Sequence, residues 1–211
     1  MNTVNVTATS RTDTGKKSTK AVRNSGGIPC VMYGGKEVVH FTTTHNAVKS
    51  LIYTPDFKVA EIDMDGSKQR AIVKTAQFHP VTEKIMHIDF LRLIDGTPIN
   101  LELPVKFEGS SPGVKLGGKL QQSLRRIKVK TTPEKMVDVL TLNVSKLELG
   151  DAIRVRDLEV PEGIQVMVAP ATPVAAVEIP RALRSADAAA DGEEGEDVAE
   201  GEGDAAEAAE A

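Results

Sequence analysis

Short runs of alternating apolar and polar residues recur along the first half of the chain and predict half-buried strands. The clearest are "TVNVTAT" (Thr3–Thr9), "EVVHFTTT" and the two halves of "FKVAEIDMDGSKQRAIVKTAQF". Asp65-Gly66 joins those halves with residues that favour a tight hairpin turn. "IPCVMYGG" is a further, mostly apolar strand closed by two glycines, and two stretches have helical spacing, "SRTDTGKKSTKAVRNSGG" and "THNAVKSLIYT". We expect a small β-barrel of roughly ninety residues with two brief helices.

The second half of the chain also contains mostly predicted strands, which begin after a boundary near "DGTPI". We therefore divide the chain into domains 1–94 and 95–183. Predicted strands lie in "INLELPVKFEG", "RRIKVKTT", "VDVLTLNV", "GIQVMVAP" and "PVAAVEIP". "SSPGVKLGGKLQQ" is predicted to be a glycine-rich loop, and it lacks the spacing of a phosphate-binding loop. Residues 184–211 consist almost wholly of Ala, Gly, Asp and Glu. Such a composition buries too little surface to offset the entropy of ordering, so we predict a disordered acidic tail.

Composition narrows the class of protein. Apolar residues make up 40% of the 211 and aromatic residues only 3%, so the cores are expected to be aliphatic. The single cysteine, Cys30, cannot form an internal disulfide, which favours a reducing compartment. The first residues contain no long apolar segment typical of a signal peptide. No window approaches about 18 consecutive apolar residues, so we predict a cytoplasmic protein that does not span a membrane.

The formal charge of −4 hides a segregation of charge along the chain. Residues 185–211 contain eleven acidic residues and no basic one, and without them 26 basic residues stand against 19 acidic ones, a body of about +7. The first 49 residues hold seven basic residues and two acidic ones. A basic end of this kind favours a polyanionic partner.

The stretch "HPVTEKIMHIDFLRL" contains the most suggestive chemistry. His79-Pro80 predicts a turn and Ile85 to Leu93 a strand, on which His87 and Asp89 would point to the same face. Three interpretations stay open from these residues. The first is a metal-dependent hydrolase that uses His79, His87 and Asp89, the second is a structural His–Asp hydrogen bond, and the third is a surface that recognises bases and ribose.

Recognition of RNA would need phosphate-binding residues nearby, and an earlier basic run offers them. Lys16, Lys20 and Arg23 would share one face of a short helix, because they lie four and three residues apart. Arg11 and Lys17 precede or flank them, and Tyr33 could supply an aromatic platform or a hydroxyl donor. Taken alone, the basic run favours a solvated loop.

Two motifs resemble a known family. "GKKSTKAVRNSGGIPCVMYGG" is similar to the "G-K-x-x-x-R/K-x-L/V-R-x-x-G-x-I/V-P-A-V-L/I-Y-G" signature of the bacterial 5S-rRNA-binding ribosomal proteins of the large subunit. "HPVTEKIMHIDFLRL" is similar to that family's "H-P-V/Y-x-x-x-x-x-H-I/V-D-F". "PVKFEGSSPGVKLGGKLQQSLRRIKVK" resembles the second domain of the long form, the general stress protein or CTC type. The resemblance covers residues 1 to about 183.

The resemblance implies a mainly β fold: an N-terminal six-stranded β-barrel with short helices and a second β-rich domain. It implies a structural role in the 50S subunit, alongside other 50S proteins, in which the barrel binds the loop E region of 5S rRNA. By position, the RNA-binding residues would be Arg11, Lys16, Lys20, Arg23, Tyr33, His87 and Asp89. Cys30 replaces a usual alanine, and Ala21 stands where some relatives carry a basic residue. The resemblance implies neither enzyme activity nor a cofactor, metal or small-molecule substrate. A stress factor that joins ribosomes transiently stays an alternative.

Overall fold

A computed structural model of the chain describes residues 2–35, 37–64 and 66–180. The predicted disordered tail, residues 184–211, therefore lies wholly outside the described residues. Asp65 of the predicted hairpin lies outside them as well. None of the helices in the described part is long and apolar enough to cross a membrane.

The N-terminal part forms a closed six-stranded barrel, as predicted, and its strand order is β1-β3-β2-β6-β5-β4. Four of the strand pairs are antiparallel and two are parallel, β2 with β6 and β1 with β4, and the second of these closes the barrel. Its elements are β1 (Thr3–Ser10), α1 (Lys16–Asn24), β2 (Gly27–Tyr33), β3 (Val39–Thr44), α2 (His45–Ile52), β4 (Val59–Met64), β5 (Ser67–Phe78) and β6 (Ile85–Arg92).

The barrel closes around inward side chains supplied by alternate positions of its strands. Phe41 and Phe90 lie at its centre with ring centroids 5.6 Å apart, and both are fully buried. Cys30, Ile62 and Ile88 complete the same apolar cluster. The period of two seen in the sequence therefore separates this core from the outer face of the barrel.

α1 packs on the outside of the barrel against β2, and a glycine makes this close approach possible. A β-carbon at Gly27 would lie 2.8 Å from Cγ2 of Thr42 and 3.1 Å from Cγ1 of Val22. Gly26, with φ of 84°, follows the C-cap residue Ser25 and ends the helix as predicted.

The second part is also β-rich and consists of two small sheets, in the orders β10-β7-β9-β12 and β11-β13-β8. Its elements are β7 (Ile99–Glu108), α3 (Pro112–Lys115), β8 (Lys119–Gln122), β9 (Arg126–Thr131), a 3-10 turn (Pro133–Lys135), β10 (Leu140–Asn143), β11 (Ala152–Arg154), a second 3-10 turn (Val155–Asp157), β12 (Gln165–Val166) and β13 (Pro173–Glu178).

One stretch of this part differs from the sequence prediction. The stretch predicted as a glycine-rich loop contains α3, and it contains β8 because Lys119–Gln122 pairs with β13.

Pro104 lies inside β7, where the strand changes partners. β7 pairs with β9 up to Pro104 and with β10 from Val105 onward, so the missing N–H falls at the exchange.

The barrel and the second part share an apolar core. Val59 and Ile72, both on barrel strands, are 2% and 1% exposed and belong to the cluster built by β7, β9 and β10. Leu91 and Leu93, at the end of the barrel, pack against the same cluster. Polar contacts cross the junction as well: Lys74 Nζ donates to the Asn100 carbonyl oxygen at 3.0 Å.

Candidate nucleic-acid interface

His87 and Asp89 lie on the outer face of β6 and contact each other directly. The distance from His87 Nδ1 to Asp89 Oδ1 is 2.9 Å, and the side chains are 24% and 27% exposed. An ionised carboxylate can only accept a hydrogen bond, so Nδ1 carries the proton and donates it. This contact fixes the orientation of the ring and leaves Nε2 available to a ligand.

The neighbouring strands extend this outer face on both sides. In β2, Val31 pairs with Asp89 and Tyr33 pairs with Leu91. In β5, Thr75 pairs with Asp89 and Gln77 pairs with His87. We call the outward side chains of Tyr33, Thr75, Gln77, His87 and Asp89 the recognition face.

Tyr33 contributes a hydroxyl that stays protonated. Burial of the ring raises the pKa of Tyr33 above its usual value, and the charge of Asp89 raises it further. At neutral pH the phenol is therefore a hydrogen-bond donor as well as an acceptor. Beside Asp89, whose carboxylate can only accept hydrogen bonds, the Tyr33 hydroxyl adds a hydrogen-bond donor to this outer face.

Thr75 and Gln77 were missed by the sequence analysis. Their run, "VKTAQF", predicts a strand correctly, but the pairing register between β5 and β6 is not visible in the sequence. A one-residue shift would place both side chains on the opposite side of the sheet. The structure has a β-bulge at Lys74 that sets the register for the residues after it.

Arg23 joins helix α1 to the strand that carries His87. Its Nε donates to the carbonyl oxygen of Met86 at 3.0 Å, which leaves the terminal nitrogens of the guanidinium available for a phosphate. Lys16 and Lys20 are exposed on the same helix, one turn apart. Among the described residues, neither lysine forms a hydrogen bond or ion pair with the recognition face, so the structure links them to it only through the helix.

Arg11 lies just after β1 and is half-buried, unlike the exposed lysines. Its backbone N–H donates to the His40 carbonyl oxygen at 3.0 Å. Its Nε and Nη1 are enclosed and have no hydrogen-bond partner among the described residues. Together with Asp89, Arg11 influences the electrostatic environment of Cys30, which places the guanidinium close to this wall of the barrel.

Cys30 is buried in the barrel beneath the recognition face, and its thiol is unreactive. Burial raises the pKa of its thiol to about 12, against the smaller opposing effects of a backbone hydrogen bond and Arg11. Because the thiolate is the reactive form, this cysteine is a core residue and no nucleophile.

His79 has a structural role in the turn between β5 and β6. Its Nδ1 accepts hydrogen bonds from the backbone N–H groups of Val81 and Thr82, at 3.3 and 3.2 Å. It thereby shapes the β5–β6 turn, as the His79-Pro80 dipeptide predicts. Across residues 2–35, 37–64 and 66–180, no three His, Cys, Asp or Glu side chains are grouped to hold a metal ion. The hydrolase alternative thus has no third ligand beside His87 and Asp89 in this part of the chain.

Comparison with family models gives the class of protein. Residues 6–90, the barrel, match the Ribosomal L25p family, and residues 98–181 match the model described as Ribosomal protein TL5, C-terminal domain. Both parts of the chain are therefore similar to ribosomal proteins.

Whole-chain relatives give the particular family. The chain is 44% identical to the large ribosomal subunit protein bL25 of Bacteroides fragilis over 195 residues, which cover 90% of this chain and 99% of the relative. It is 44% identical to bL25 of Porphyromonas gingivalis over 188 residues, 88% of this chain and 97% of the relative. It is 37% identical to bL25 of Cytophaga hutchinsonii over 190 residues, 90% and 98%. The chain belongs to the bL25 family of large ribosomal subunit proteins, and the resemblance to its long form is confirmed.

Proposed function

We propose that this chain is a structural constituent of the large ribosomal subunit that binds 5S rRNA, in the loop E region, through the recognition face. The observation that carries the proposal is the His87–Asp89 pair, held at 2.9 Å on an outward strand face beside Tyr33. A hydrogen-bonded pair of this kind is preoriented, so it can meet base and ribose groups without further loss of side-chain freedom. The family supports the ribosomal part of the proposal.

The phosphate contacts are assigned to Arg11, Lys16, Lys20 and Arg23. Arg23 supports this assignment because its bond to Met86 fixes a cation at the start of β6. Asp89 would repel phosphates, but its charge is directed to His87, so it serves to orient that ring and to accept from a base amino group. In this proposal the cations supply affinity, and the recognition face supplies the choice of RNA.

The proposal extends to the domains and their setting. We assign residues 1–94 to a 5S-rRNA-binding domain and residues 95–183 to a second, β-rich domain. The protein would act in the cytoplasm, associated with ribosomes, as a binding protein rather than an enzyme.

A filter-binding titration of purified 5S rRNA against salt tests the proposal. Four phosphate contacts predict that log K falls with log salt at a slope of about −2.8 to −3.6, since each contact contributes roughly −0.7 to −0.9. Arg23→Gln should weaken binding and flatten the slope by about one contact. Asp89→Ala should weaken binding with the slope nearly unchanged, because no phosphate contact is lost.

Lys146→Gln is the matched control for charge, because Lys146 is an exposed lysine of the second domain. Equal affinity for 5S rRNA and for an unrelated structured RNA would contradict the proposal. A salt slope near zero would contradict it as well.

A further inference from the structure

A cleft lies between the barrel and the second part of the chain, away from the residues assigned to 5S rRNA. Its volume is about 760 Å³, within the range of roughly 300–1,000 Å³ that is common for ligand-binding clefts. One wall comes from the segment after α2 and the second half of β5, and the other from β7 and β9. Neither part of the chain forms this cleft alone.

The charge on the cleft is mainly positive. Its lining includes four cationic side chains and two carboxylates: Lys58, Lys74, Arg126, Lys128, Asp56 and Glu102. Asp56 is already paired, with its Oδ1 3.1 Å from Nζ of Lys106, a residue outside the lining. Glu102 is 3.9 Å from Lys128, a loose contact between two exposed side chains. The excess of positive charge therefore favours an anionic ligand.

Two of the cations are held in place without being neutralised. Lys58 Nζ donates to the Ser50 carbonyl oxygen at 3.1 Å, and Lys74 Nζ donates to the Asn100 carbonyl oxygen at 3.0 Å. A carbonyl oxygen carries no formal charge, and each ammonium has further N–H groups to offer. These bonds position the two charges on the barrel wall before any ligand arrives.

The cleft also contains exposed apolar surface. Phe78, at the end of β5, is 43% exposed, and Met167 on the other side is 57% exposed. An exposed aromatic ring beside cations is the combination that binds single-stranded nucleic acid, because bases stack on the ring while phosphates meet the charges. An inorganic anion or a sugar phosphate would leave the ring unused.

An extended acidic peptide is the competing occupant, and the strand edge disfavours it. β5 pairs with β4 only as far as Ala71, so its second half presents an edge to the cleft. At that edge Lys74 stands in a β-bulge. A bulge and an edge lysine both obstruct the addition of another strand.

We infer that this interdomain cleft is a second RNA-binding surface, which takes a single-stranded segment with phosphates on Lys58, Lys74, Arg126 and Lys128 and a base on Phe78. β5 is the wall shared with the recognition face, since Thr75 and Gln77 lie on that face while Lys74 and Phe78 line the cleft. The inference goes beyond the 5S rRNA proposal and rests on it only for the choice of RNA as the biological partner. The inference requires that the two surfaces be occupied together.

Fluorescence anisotropy with the full chain tests this inference. The chain is first saturated with 5S rRNA, and a labelled oligoribonucleotide of twelve uridines is then added; 5S rRNA without protein is the blank. We expect the saturated complex to bind the oligonucleotide. Arg126→Gln/Lys128→Gln should weaken that binding roughly 25-fold at about 0.1 M salt, since each lost contact costs about fivefold there.

Matched variants separate the cleft from general charge. Lys130 lies on the same side of β9 as Arg126 and Lys128 but does not line the cleft. Lys130→Gln should therefore change the affinity less than about twofold. Phe78→Ala should weaken binding about fivefold or more through lost stacking. Val81→Ala removes an exposed apolar residue from the adjacent turn and should have no effect.

The outcomes distinguish this inference from the 5S rRNA proposal. If 5S rRNA binds but its complex does not bind the oligonucleotide, the cleft inference is overturned and the proposed function stands. If 5S rRNA fails to bind while the variants still reduce oligonucleotide binding, the proposed function fails and the cleft inference stands. Lys128-dependent binding of a peptide with the sequence of residues 185–211, in place of the oligonucleotide, would overturn the inference in favour of an acidic peptide.

Discussion

Ile72→Ala should destabilise the second part of the chain even though Ile72 belongs to the barrel. The side chain is 1% exposed and contributes to the apolar cluster built by β7, β9 and β10. Its loss removes three carbon atoms from a packed core and leaves a cavity. Substitutions of this kind cost about 2–5 kcal/mol. A loss of about 3 kcal/mol corresponds to a roughly 150-fold larger opening constant.

Hydrogen exchange followed by mass spectrometry is the suitable assay, because it reports each strand separately. In Ile72→Ala we expect faster exchange in β7 and β9 as well as in β5. Ile62→Ala is the matched control, since Ile62 is fully buried in the barrel cluster. That variant should accelerate exchange chiefly in the barrel strands. Ile72→Val should give a smaller effect of the same pattern, about 0.5–1.5 kcal/mol.

Unchanged exchange in β7 and β9 of Ile72→Ala would refute the reasoning. It would mean that the two parts open independently, and that the shared apolar cluster carries little coupling free energy. Equal effects of Ile72→Ala and Ile62→Ala on every strand would also count against it, because the chain would then behave as a single cooperative unit without a distinct junction.

Two further predictions concern the barrel. Gly27→Ala should cost about 1–3 kcal/mol in urea unfolding, because the new β-carbon meets Thr42 and Val22; Gly27→Ala/Thr42→Ser should recover part of the loss, and no recovery would contradict this cause. Burial raises the pKa of Cys30 to about 12 in the folded chain, against 9.0 for a free thiol, so the unfolded state loses its proton first. Stability is therefore unaffected well below pH 9 and falls as the pH rises towards 12, by up to about 1.4 kcal/mol per pH unit. Cys30→Ala should have a shallower pH dependence of unfolding between pH 9 and 11 than the parent chain, and identical pH profiles would contradict the assignment.

The barrel was largely predictable because its signals are local. Alternating runs, the Gly26-Gly27 stop and the helical spacing of Lys16, Lys20 and Arg23 each depend on neighbouring residues only. The shared face of His87 and Asp89 is predictable for the same reason, since residues two apart on a strand point to one side. Their direct hydrogen bond is only one of three interpretations that the sequence leaves open. The six-strand count came from the family resemblance, and the structure confirms it.

The rest depends on pairing between distant residues. "GIQVMVAP" was predicted as a strand, but only Gln165 and Val166 pair with β9. β8 was not predicted because its four residues follow glycines and have no clear alternating pattern of their own. They form a strand because they pair with β13. Thr75 and Gln77 belong to the recognition face because a β-bulge sets the pairing register between β5 and β6. The assignment of RNA contacts to Arg11, Lys16, Lys20, Arg23, Tyr33, His87 and Asp89 stays a prediction.

The position of β6 in the barrel has a consequence for synthesis on the ribosome. β6 is the last barrel strand in the sequence, yet it lies between β2 and β5, which leave the ribosome earlier. A nascent chain that ends before residue 85 has the cations of α1 but neither the strand that closes the barrel between β2 and β5 nor the His87–Asp89 pair. Under the proposed function, such a chain would bind RNA by charge alone, and completion of the barrel would add the residues that select 5S rRNA.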